Sequence, residues 1–580
     1  MNNMNIKIKN IKQLLAVARG EQPPQLLLKN GQVIDVFNCR VFKGNVAVNN
    51  GIIAAVGSEY KTGLKEIDLD GGFIAPGLID AHLHVESTLL LPPELGRVIL
   101  GHGTTAVIHD PHEIANVLGL DGVKLMLDLS ESSPCDFFAT VPSSVPSTDL
   151  ETAGGEINAD QVAQLLRHPR VVGLGEMMNY PGVINGNEEM LRKIIAAQSA
   201  GKVVDGHAPS VRGSDLQAYL AAGVSTDHEC ITPAEAQEKL NSGMKIIIRH
   251  GSATSSLDQM LSLINPSNSD FFMFGSDDRE VGELLEKGHV NEILKKAVSQ
   301  GGDPLVMIKI ASLNPARHYR LYERGAIAPG YRADLVVFED LKNFQTRLVF
   351  KDGLEVFREG RMLISDHKKK LPAAALNSVK LAKPLQSADF NLYPPSDQMP
   401  VIGVIPGQLI TEKLFYNVKR RDDGSVPAVP APGINKIAVV ERHGKNGRIS
   451  VALIKGIGLN KGALASSVAH DSHNILVTGA CEKAMAAAVN ELARVGGGFV
   501  VVGEDAEVKA CLPLKAGGLM SVEKAETVAK KMNDLLTAAH ELGTDLSQPF
   551  LTLSFMALPV IPSLKITDRG LVDVDNSTII

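Results

Sequence analysis

Between Phe73 and Tyr322 the sequence alternates eight short apolar runs with segments long enough for a helix. The runs are Phe73–Ile79, Thr104–His109, Asp136–Val141, Val171–Glu176, Lys202–His207, Val224–His228, Lys245–His250 and Phe271–Asp277. Apolar runs of this length, spaced by helical segments, read as parallel strands joined by crossover helices. Eight such units in roughly 250 residues is the arithmetic of a (β/α)8 barrel, whose chemistry sits at the C-terminal ends of its strands. The residues that close each run are therefore the ones to inspect.

Five of the eight run ends supply the candidate metal donors. The first leads into Asp80-Ala81-His82-Leu83-His84. Positions i and i+2 project the same way from a strand, so His82 and His84 can grip one ion. The fourth run ends in Glu176, the fifth in His207, the sixth in His228 and the eighth in Asp277. Imidazoles and carboxylates together suit borderline divalent ions such as zinc, iron, manganese or cobalt. Six donors exceed the need of one tetrahedral ion. A carboxylate can bridge two cations, and Glu176 is placed to be shared. Taken singly, each residue has a plainer reading: a strand-terminal histidine is more often core or surface, and Asp277-Asp278 also reads as a helix N-cap with a first-turn acid. Their joint occurrence in barrel order favours the metal site. Such ions would lower the pKa of a water, and Asp277 would accept its proton and hand it to a leaving group.

The flanks are different. From Gln25 to Asp70 short strands alternate with the turn signals Asn30-Gly31 and Asn49-Asn50-Gly51. A matching piece, Gly325–Phe338 followed by Val349–Gly353, lies beyond the barrel. The expected organisation is a composite β-sandwich from residues 1–72 and 323–365, a catalytic barrel at 73–322, a linker at 366–388 and a C-terminal α+β domain at 389–580. The short apolar run Leu14–Ala18 reads as an amphipathic helix docking on the fold, and Lys419–Pro432 as an exposed loop.

Bulk properties exclude several classes. Net charge is −7 with no extended Lys/Arg block, so no nucleic-acid footprint exists. No stretch approaches the roughly 20 apolar residues of a spanning helix, and no membrane partner is expected. The five scattered cysteines form no C-x-x-C pair, which points to a reducing cytoplasm rather than a disulfide framework.

The string from Pro76 to Thr88 resembles the first metal-binding strand of the amidohydrolase superfamily. Its His84-Val85-Glu86-Ser87 extension and the segment His109-Asp110-Pro111-His112-Glu113-Ile114 are similar to the bacterial-type adenine deaminases. The resemblance continues through Ala311–Arg317 and Phe555–Pro562, nearly the whole chain. It implies conversion of adenine and water to hypoxanthine and ammonia, a role in purine salvage, and two divalent ions, manganese or iron, with zinc compatible. A purine also needs a proton on its ring nitrogen, which calls for a second carboxyl group. Glu113 is the preferred shuttle, although a helix N-terminal acid accounts for it nearly as well. Glu86, Asp110, Glu229, Arg249 and Ser252 complete the expected substrate set, and a homo-oligomer is expected.

The sequence departs from the pattern at His250, where the resemblance implies a glutamate. The bridging lysine of hydantoinase-like relatives is absent, with Glu176 at the strand-four position. Two other functions stay open: cleavage of a cyclic amide or N-acyl bond, and a non-catalytic scaffold, against which the intact donor set stands. Ala469-His470-Asp471-Ser472-His473-Asn474 is either a further ligand set reaching the barrel mouth or a turn rich in side-chain-to-backbone bonds. Gly496-Gly497-Gly498 is either a phosphate loop or, preferably, a turn.

Overall fold

The computed structural model describes residues 2–252, 254–364, 370–394 and 396–580. Eight parallel strands form the barrel: Leu78–Leu83, Thr104–His109, Asp136–Val141, Val171–Met177, Val203–Gly206, Thr226–Asp227, Lys245–Arg249 and Phe272–Gly275. Strands one to five pair in order, as do six to eight. Backbone bonds link the two groups at both seams: Ser225 N–H donates to Val204 O at 2.9 Å, and Asp277 N–H to His82 O at 3.0 Å. Ile79, Ala81, Ala106, Ile108, Val172, Ile247 and Met273 cluster with Tyr319 and Leu321. Burying each of the larger aliphatic side chains stabilises the fold by about 1.5–3 kcal/mol.

The first apolar run is not one strand. Phe73–Pro76 belongs to a nine-stranded sheet, where it pairs with Leu335–Phe338 and with Leu26–Asp35. After Gly77 the chain crosses into the barrel as Leu78–Leu83. A Cβ on Gly77 would collide with Thr105, so the crossing needs glycine there. The sheet thus extends past residue 72, because one continuous apolar run serves two cores in succession. Asn30-Gly31 likewise is no hairpin turn. Leu26–Asp35 runs through it as one strand, with a register shift between Leu28 and Gly31 and Asn30 at φ 58°. A left-handed asparagine serves a bulge as readily as a turn. The N-terminal helix is longer than its apolar run, Asn2–Ala18, and Val17 is its buried contact.

The C-terminal region is built on an eight-stranded sheet. Helix Glu482–Val495 packs into one apolar cluster with Leu385 and Phe390. Helix Ala525–Glu541 contributes Val528, Leu535 and Ala539 to the cluster it shares with the barrel's outer layer. Gly496 ends the first helix in the left-handed conformation, φ 88°, which is the turn reading of the glycine run. Of the expected linker, residues 366–369 lie outside the described residues. The remainder is laced to the C-terminal domain: Lys380 N–H donates to Arg442 O at 2.7 Å, and Leu385 N–H to Asn490 Oδ1 on helix Glu482–Val495 at 2.8 Å. The expected loop 419–432 is exposed at Lys419–Asp423 but buries Ser425, Val426 and Ala428. No helix among the described residues is long and apolar enough to cross a membrane.

Candidate metal centre at the barrel mouth

Strand alternation turns Ile79 and Ala81 into one cluster and would leave His82 with Asp80, whose carboxylate meets His289 Nε2 at 2.9 Å. The pairing with the second strand shifts between Asp80 and Leu83, and His82 and His84, at and just past this irregularity, both meet Glu176 at the mouth. There His82, His84, Glu176, His228 and Asp277 are buried together, with His207 half-buried beside them. Glu176 is the hub. Its Oε1 lies 3.0 Å from His84 Nε2 and 3.4 Å from His82 Nε2. Its Oε2 lies 2.9 Å from His207 Nδ1 and 3.4 Å from His228 Nε2. Asp277 Oδ1 closes the first group, 3.3 Å from His84 Nε2 and 3.6 Å from His82 Nε2.

The donor set fits two cations. His84 Nδ1 faces the Asp110 carbonyl at 3.1 Å, which places its proton there and leaves Nε2 free to ligate. His82 Nε2 and Glu176 Oε1 are buried without a hydrogen-bond partner, a costly state unless a cation satisfies them. Burial pushes the Glu176 carboxyl up, but His84 and His228 outweigh it and hold the group well below the usual carboxylate range. The same contest at Asp277 is won chiefly by Arg249.

The remaining expected residues separate into distinct places. Arg249 lies 2.8 Å from Asp277 Oδ2 and is also paired with Glu229, so Asp277 Oδ1 is the oxygen left facing the histidines. Asp110 Oδ2 accepts the Glu176 N–H at 2.9 Å, and its backbone carbonyl faces His84, so it supports two of the candidate donors. Glu86 Oε1 accepts the Ile114 N–H at 3.0 Å while Oε2 is buried and unpartnered. Ser252 bonds Glu283 and accepts the Glu280 N–H at 2.9 Å. Glu86 and Ser252 line a cavity of about 230 Å³ that shares Glu113, Asp278 and His470 with the mouth cavity of about 640 Å³. His250 is engaged by Glu292 at 3.2 Å and Ser255 at 2.8 Å. Sequence reasoning passed over His112, whose Nδ1 lies 3.6 Å from Glu176 Oε1. It follows a proline at a helix start, not a strand end, and only its place beside Glu113 could have marked it.

Residues 73–265 and 253–356 match the amidohydrolase family, and residues 408–578 match the adenine deaminase C-terminal domain. An adenine deaminase of Desulfatibacillum aliphaticivorans is 46% identical over 97% of this chain and 98% of its own length. One from Dehalococcoides mccartyi is 45% identical over the same shares. Among solved structures, an amidohydrolase from a Sargasso Sea sample aligns over 59% of this chain and 95% of its own, with TM-score 0.46 and 15% identity.

Proposed function

Because the chain belongs to the adenine deaminase family, with an amidohydrolase barrel, we propose that it hydrolyses adenine to hypoxanthine and ammonia at the barrel mouth. The observation that carries this reading is Glu176, which offers each of its oxygens to a different histidine pair. His82, His84, Glu176, His207, His228 and Asp277 would hold two divalent ions, manganese or iron in this reading. When bound, those ions supply an acidified water and polarisation at the reacting carbon.

Asp277 takes a proton from the attacking water and passes it to the departing amine. Arg249 on Oδ2 keeps that carboxylate ionised and aims Oδ1 inward. Glu113, lining the same cavity, delivers the proton that the purine ring nitrogen requires. Glu229 and Arg249 edge the pocket and orient the base. The setting proposed is purine salvage in the cytoplasm.

The test is chelation followed by reloading with counted manganese or iron, assayed for ammonia from adenine. Activity should vanish with the metal and return at two equivalents per chain. Full turnover in metal-free protein, or proton release from a dihydropyrimidine without ammonia from adenine, would replace this reading with another.

A further inference from the structure

The turn Ala469–Asn474 lies far from the barrel in chain order, yet the fold brings it against Glu113 on helix His112–Leu118. His470 Nδ1 lies 2.6 Å from Glu113 Oε1, and His473 Nε2 bonds Oε2. His112 Nε2 stands 3.4 Å from Oε1. All of these side chains are buried. Three residues with donor atoms this close could suggest a third metal site, but the tautomer of His473 argues against it. Its Nδ1 accepts the Ala469 N–H at 3.1 Å, so the ring proton sits on Nε2 and is donated to Glu113. A ligating imidazole instead carries its proton on the nitrogen away from the ion. The cluster is a hydrogen-bonded one.

His470 has a different environment from its neighbour. Its ring stacks on Phe555 at 4.7 Å, and it lines both cavities. The charged and titratable groups around it are Glu113, Asp278, Asp471 and His473. Burial alone would strip its proton, but Glu113 prevails and pushes the imidazole up to about 9. Burial acts on Glu113 in the opposite sense, and His470, His473 and His112 outweigh it, holding that carboxyl well below its usual range. A carboxylate so held is ionised at neutral pH and has no proton of its own to give.

We infer that His470, donated by the C-terminal domain, stores the proton that Glu113 relays to the substrate ring, with His473 as a positioning residue on the second oxygen. The inference rests on the adenine-deamination reading above. The His470 Nδ1–H bond breaks as Glu113 gains an O–H. That O–H breaks as the ring nitrogen gains its hydrogen, while a water oxygen bonds to the carbon bearing the amino group. His470 is left neutral and Glu113 is again a carboxylate. When the tetrahedral adduct collapses to the carbonyl and ammonia leaves, the adduct's hydroxyl proton is released and solvent recharges His470. Nothing is oxidised or reduced.

The experiment is His470→Gln and His470→Ala in metal-counted protein. With two ions retained, His470→Gln should lower kcat about 100-fold and change KM less than about threefold, in line with the loss of a general acid. The alkaline limb of kcat is expected near pH 9, where His470 is pushed; it should move more than one unit lower in the variant, and added imidazole should restore turnover to His470→Ala. A His470→Gln protein with kcat within twofold and an unmoved alkaline limb overturns the relay. Nitrogen-15 spectra of histidine-labelled protein need no substrate. They should show both His470 ring nitrogens protonated at pH 7.5, and one deprotonated in Glu113→Gln. A neutral His470 in the unaltered protein overturns the proposal even if the variants do not fold. Absence of ammonia from adenine in the unaltered protein would instead count against the deaminase reading.

Discussion

Glu176 is the residue on which both halves of the site depend, because its oxygens face opposite histidine pairs. Glutamine keeps the shape but turns one acceptor into an NH2 donor, which cannot ligate. Glu176→Gln is expected to bind one ion fewer and to lose about 100-fold or more of its turnover, read by metal counting beside an ammonia assay. Two ions with turnover within tenfold would end the bridging role. Asp110 acts one step further out, through its carboxylate on the Glu176 N–H, while the carbonyl facing His84 is backbone and survives substitution. Its replacement by alanine should cost about 10–100-fold in metal affinity, the usual range for groups that orient ligands. The donors were legible in the sequence because each closes an apolar run or follows one closely. Glu113 was legible as an acid but not as a partner of His473, since the two are 360 residues apart and no periodicity links them. His112 was missed because it follows a proline at a helix start rather than closing an apolar run, and only its neighbour Glu113 marks it.

Among the elements, the loop between the third barrel strand and helix Ala159–Leu165 holds a carboxyl in an unusual state. Burial first, then Asp471 and Asp568, push Glu151 up to about 8 from 4.5. A carboxyl raised in the folded state contributes stability below its unfolded pKa and loses it as pH rises through about 8. Glu151→Gln removes the titration while keeping a hydrogen-bonding amide. The melting temperature should therefore rise by a few degrees over the unaltered protein at pH 8.5 and change little at pH 5. Equal shifts at both pH values would show that the charge at Glu151 is not what limits this contact. Element types were readable wherever an apolar run fed a single core. Phe73–Ile79 misled because its residues serve the outer sheet up to Pro76 and the barrel after Gly77, and hydrophobicity does not report which core receives a side chain. The bulge at Asn30 misled because a left-handed asparagine before a glycine also marks a turn.

In the whole molecule, the C-terminal domain is fastened to the barrel by two kinds of contact whose magnitudes differ. Arg97 with Glu526 at 2.8 Å is a partly exposed pair, worth about 0.2–1 kcal/mol. Backbone and buried polar bonds join the same faces, with Ser521 N–H on Leu89 O at 2.7 Å and Thr152 N–H on Asp568 Oδ1 at 2.8 Å. Apolar packing contributes more: Leu89, Leu90 and Ile114 belong to the same buried cluster as Leu519, Met520, Phe550 and Leu553. At about 1.5–3 kcal/mol for each large side chain, this cluster outweighs the ion pair several times over. A chain ended after residue 364 would expose that face and leave Glu113 without His470 and His473. It is expected to aggregate, since an apolar patch of that kind on a free surface drives association. High salt should leave docking in the full chain nearly unchanged, because screening weakens only the ion pair. Light scattering and ammonia release on the truncated protein provide the check. A monodisperse product with two ions and unaltered kcat would mean that the barrel closes its own site and that the C-terminal domain serves some other end.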